Sequence, residues 1–86
     1  MTGNVPHAGA EDLSALARGK LTRILGPVRG ERLFAQVLAE LHLPGLATPE
    51  ELHAFGERLS RMGGMEAAVG GLLTVAATLR GARGKA

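Results

Sequence analysis

The sequence predicts an all-α protein, a compact four-helix bundle with short loops and flexible termini. Three observations carry that prediction. Aromatic residues are nearly absent: among 86 residues there are only Phe34 and Phe55, with no Trp or Tyr. The core must then be built from Leu, Val, Ile, Met and Ala, which suits helix packing better than strands rich in β-branched and aromatic residues. Apolar residues recur at helical spacing in four successive stretches. Gly-Pro, Pro-Gly and Gly-Gly pairs separate those stretches, and such pairs interrupt regular structure.

Residues 1–9 hold Gly3, Pro6 and Gly9 without periodicity and read as a flexible arm. A first helix is expected from about Ala10 to Leu25, with Leu13, Leu16, Ala17, Leu21 and Ile24 on one side. Glu11 and Asp12 would sit where the N-terminal dipole favours anions. Gly26 suits the residue after a helix and Pro27 the first turn of the next. The second helix, about Pro27 to Leu43, gathers Leu33, Phe34, Val37, Leu38 and Leu41. After a loop at residues 44–47, Thr48-Pro49-Glu50-Glu51 is the strongest local signal in the chain. Thr48 can cap, Pro49 fits the first helical position, and Glu51 can return a bond to the Thr48 amide. This third helix carries Leu52, Phe55, Leu59 and Met62 inward and stops at Gly63-Gly64.

The fourth helix, about Met65 to Arg80, contains a stretch from Ala67 to Leu79 without a single charge. Its large residues Met65, Val69, Leu72, Val75 and Leu79 gather on one side, and Ala67, Gly70, Gly71, Thr74, Ala77 and Thr78 on the other. A helix that is apolar or small all round is normally buried from more than one direction. Glycine inside a helix costs about 1 kcal/mol against alanine, so Gly70-Gly71 suggests close approach of another helix. That helix can belong to the same chain or to a second one. The expected core is Leu33, Phe34, Val37, Leu52, Phe55, Leu59, Leu72 and Val75. The expected contact surface is Ala67, Gly70, Gly71, Thr74 and Thr78, with Lys20 and Arg23 at an interface rim. Residues 10–80 thus form one four-helix domain, and residues 81–86 a basic tail expected to fray.

Composition bounds the function. A chain of this length forms a marginal core unless packing or oligomerisation supplements it. There is no cysteine, hence no disulfide and no thiolate metal site. The N-terminus has no cationic start followed by an apolar run, so no leader is expected, and the uncharged stretch is too short to span a bilayer. A soluble, cytoplasmic protein without a membrane role is the expectation. The Ala, Leu, Gly and Arg bias resembles translation of a GC-rich genome and suggests a bacterial source.

The net charge of +2 hides an asymmetry. The last seven residues hold three bases and no acid, which leaves seven bases against eight acids in the remainder. Arg18, Lys20, Arg23 and Arg29 come without an intervening acid, and Glu40, Glu50, Glu51 and Glu57 without an intervening base. Such regions suit complementary contacts with a partner or are solvated pairs of small value. Lys20 falls inside the apolar stripe of the first helix, where its stem covers apolar surface or its ammonium meets a partner's carboxylate.

No catalytic, cofactor-binding or metal site is expected. His53, Glu57 and Ser60 share one side of the third helix, but a metal needs more ligands and a serine nucleophile needs oxyanion donors. Local pairing of Glu57 with Arg61 accounts for that face. The glycine pairs lack the Lys-Ser/Thr of a phosphate loop. The function expected is a non-catalytic helical protein–protein interaction and assembly module, an adaptor that self-associates or binds a helical partner through the small-residue face of the last helix. The alternative is a small nucleic-acid-binding protein using Arg18, Lys20, Arg23, Arg29, Arg32 and the basic tail. Against it stand the absence of stacking aromatics and the Glu50-Glu51 start of the third helix, which would present acid to phosphate.

Overall fold

A computed structural model describes residues 12–82 and contains four helices: α1 (Leu13–Leu25), α2 (Pro27–Leu41), α3 (Pro49–Ser60) and α4 (Gly64–Leu79). No strand occurs among the described residues, so the chain is all-α, a four-helix bundle. The arm at residues 1–9 and residues 83–86 of the tail lie outside the described residues.

Each helix boundary follows from a local hydrogen-bonding rule. The Asp12 carboxylate accepts the Ala15 N–H at 3.0 Å, so Asp12 caps α1 instead of lying within its first turn. Gly26 alone links α1 to α2. It takes φ +93°, a value that other residues rarely adopt, and Pro27 starts the next helix. The second helix stops two residues short of the expected Leu43. His42 adopts a left-handed φ of 59°, while Leu43 N–H reaches back to the Leu38 carbonyl at 2.9 Å. This is a Schellman stop with histidine where glycine is usual.

At α3 the Thr48 hydroxyl accepts the Glu51 N–H at 3.1 Å, as the sequence predicts. The returning bond differs: the Glu51 carboxylate accepts the Ala47 N–H at 2.7 Å, not that of Thr48. The same loop is tied to the first helix, where the Ser14 hydroxyl accepts the Leu46 N–H at 2.8 Å. The third helix ends at Ser60, before the glycines. The last helix closes in a second Schellman stop. Ala82 N–H reaches the Ala77 carbonyl at 3.0 Å, Gly81 has φ +107°, and Ala82 is buried. Gly81 and Ala82 are therefore an ordered cap and do not fray.

The helices pack as two sequence-local hairpins, α1 with α2 and α3 with α4. Glycine lies at each contact. A methyl group on Gly30 would stand 2.7 Å from the Thr22 Cα, so α2 lies against the backbone of α1 there. In the second hairpin Gly56 faces Gly70: a methyl on Gly70 would stand 2.5 Å from the Gly56 carbonyl oxygen, and one on Gly56 would stand 2.9 Å from that of Gly70. The hairpins join through a shared core containing Leu13, Ala17 and Leu21 from α1 and Leu52, Phe55 and Leu59 from α3. Phe34 and Phe55 meet across the junction with ring centroids 5.5 Å apart. Arg58 pairs with Glu40 at 2.8 Å over the same junction.

Six of the eight expected core residues are buried, but Leu72 and Val75 are not. They are 50% and 58% exposed, and their places are taken by Val69, Leu73 and Ala77. The apolar arc of the last helix is wider than one packing surface, and the other helices cover a different half of it from the one expected.

Candidate functional site

The last helix presents two apolar faces, and only one is occupied within the chain. The inner face is Val69, Gly70, Leu73 and Ala77, all buried. The outer face carries Met65, Leu72, Val75 and Leu79, which are 54%, 50%, 58% and 79% exposed. Ala68 and Gly71 are exposed between them. Met65, Ala68, Leu72, Val75 and Leu79 follow spacings of three, four, three and four residues. That alternation is the seam of a coiled coil over two heptads, with Met65, Leu72 and Leu79 at a and Ala68 and Val75 at d. Glycine and threonine flank it: Gly64, Gly71 and Thr78 occupy the adjoining g positions and are all exposed. No ionised residue interrupts the seam between Glu66 and Arg80.

The residues expected to form one contact surface divide between the two faces. Gly70 lies against Gly56, and the Thr74 methyl would stand 2.8 Å from a methyl on Gly56, so both approach the chain's own α3. Gly71 faces open space, and Thr78 is exposed. Ala67 is half-buried. Both threonine hydroxyls are turned back to the helix: Thr74 donates to the Gly71 carbonyl at 2.9 Å and Thr78 to the Thr74 carbonyl at 2.9 Å. Neither offers its proton to a partner.

Sequence reasoning did not single out Ala68, placed Leu72 and Val75 in the core, and passed over Gly30 and Gly56. The three-four spacing was there to be found. The cost of mid-helix glycine, applied to Gly70 and Gly71, applies equally to Gly30 and Gly56.

Elsewhere Arg18, Arg29 and Arg58 form ion pairs within the chain. Arg18 pairs with Glu31 at 3.3 Å and lies 4.9 Å from the centroid of the Phe34 ring. Arg29 pairs with Glu66. Lys20, Arg23 and Arg32 have no ion-pair partner among the described residues. Lys20 is half-buried and lines an open depression with Ala15, Leu16, Gly19 and Arg23. On α3, His53 Nδ1 lies 3.9 Å from a Glu57 carboxylate oxygen, and the Ser60 hydroxyl donates to the Glu57 backbone carbonyl at 2.8 Å. Glu57 is thus turned toward His53, not paired with Arg61 as expected. No group of three or more His, Cys, Asp or Glu side chains able to hold a metal occurs among the described residues.

Compared with models of protein families, with curated proteins and with solved structures, the chain gives no significant match. The functional reading therefore rests on the residues themselves. Among the described residues no helix is long and apolar enough to cross a membrane.

Proposed function

We propose that this chain is a non-catalytic assembly module that self-associates through the outer face of α4. The observation that supports this is the seam: four large apolar side chains, each half or more exposed, on a helix face without a charge. Scattered exposed apolar residues are ordinary on protein surfaces. A contiguous stripe at coiled-coil spacing is different, because it matches the surface that another helix buries. The seam is uncharged, so association through it is expected to be insensitive to salt.

The test is the light-scattering mass of the eluting protein at tens to hundreds of micromolar, in low and in high salt. A mass above that of one chain, equal at both salt concentrations, is the expected result. Val75→Glu should return the protein to the mass of one chain with its helical circular-dichroism spectrum intact, since Val75 is 58% exposed. A single-chain mass for the unaltered protein, or association that survives Val75→Glu, would overturn the proposal.

A further inference from the structure

Resting on that reading, we infer that the occupant of the seam is one second copy of this chain, its α4 running antiparallel to the first about a two-fold axis between Leu72 and Val75. The area fits a single such partner. Burying the exposed parts of Met65, Leu72, Val75 and Leu79 in both copies, with Ala68, Gly71 and Thr78 alongside, removes on the order of 1,000 Å² from water, the lower bound for a specific pair. Among the described residues the other large exposed apolar residue, Val28 at the start of α2, is 72% exposed and belongs to no such stripe. An isologous contact uses the same patch twice and closes at two chains.

Side-chain size sets the direction. In a parallel pair in register, Ala68 would face Ala68 and Leu79 would face Leu79, so the seam would be pinched at one layer and forced apart at another. In the antiparallel pair the a and d positions meet each other. Leu72 then packs on Val75 of the second copy, and Ala68 packs on Leu79 of the second copy. Both of these layers combine a larger with a smaller side chain, so the helix axes stay evenly spaced, and Met65 lies at the margin, past the end of the second copy's α4. On the flank, Gly71 comes beside Thr78 of the second copy, and small residues there let the backbones approach.

Electrostatics agrees with the direction. Antiparallel helices set opposite dipole ends side by side.

The chain contains no cysteine, which makes disulfide trapping a direct test. Ala68→Cys and Leu79→Cys both alter exposed positions. A disulfide needs Cα atoms within about 7 Å. In the antiparallel pair two copies of residue 68 stand roughly 16 Å apart along the axis, as do two copies of residue 79. An equimolar mixture of the two variants under diamide should therefore give the mixed disulfide, identified by mass spectrometry, at least tenfold faster than either variant alone gives its own dimer. Equal or faster oxidation of either variant alone would establish a parallel pair and overturn the inference, while leaving self-association intact. A protein of two-chain mass in which neither the variants nor their mixture are trapped would place the contact elsewhere and overturn it too. A single-chain mass for the unaltered protein is a separate failure, that of self-association itself.

Discussion

The two faces of α4 have nearly the same chemistry and opposite fates. Val69, Leu73 and Ala77 are buried among the other helices, whereas Met65, Leu72, Val75 and Leu79 face outward. Apolar character alone therefore does not decide which face a helix turns inward. The deciding contact is Gly70 on Gly56, where two backbones approach so closely that no side chain fits between them. Once that crossing is made, the helix has one rotation available, and Leu73 goes in while Leu72 stays out. The adjacent glycines show the same division: Gly70 is enclosed by Gly56, Leu59 and Ser60, and Gly71 has nothing near it.

The largest expected effect comes from truncating the two neighbouring leucines in turn. Leu73→Ala should cost about 3 kcal/mol of stability, because it empties a fully buried site. Leu72→Ala should cost less than about 0.5 kcal/mol in the single chain, as an exposed position outside the core. Urea unfolding measured below the association range separates them, and similar losses would mean that the outer face is part of the core. The glycines give the next contrast. Gly70→Ala puts a methyl group against backbone atoms of the next helix and should destabilise by about 2 kcal/mol, after its gain in helix propensity. Gly71→Ala meets no neighbour and should stabilise the chain by about 0.5–1 kcal/mol, the only effect of favourable sign. Destabilisation by Gly71→Ala in thermal unfolding would refute this account of the crossing.

Much of the fold was legible in the sequence, because turns and caps are written in single residues. Gly26-Pro27, Thr48-Pro49 and Gly63-Gly64 all punctuate the helices near the expected places. The ends shifted where a side chain took a role that sequence spacing does not fix, as with left-handed His42 and with Glu51 turning to the Ala47 amide. The orientation of α1 to α3 was legible because charges mark their solvent sides. The last helix carries no such marks between Glu66 and Arg80, so its apolar arc offered two inward faces. Gly56 decided between them, and the cost of a mid-helix glycine marks a close approach there without saying which face of α4 it meets. The same gap explains the divided candidate surface. Gly70 and Gly71 are neighbours in sequence, but 100° apart on a helix they belong to different surroundings.

The contact of Phe34 with Phe55 has a consequence for optical work on this protein. One ring belongs to α2 and the other to α3, so their 5.5 Å approach exists only while the two hairpins are docked. With no Trp, Tyr or cysteine in the chain, these rings are the sole source of its near-ultraviolet circular dichroism. Far-ultraviolet ellipticity reports helix whether or not the hairpins touch. The two spectral regions thus separate secondary structure from tertiary docking without any attached label, and a state with helices formed but hairpins apart keeps the first signal and loses the second.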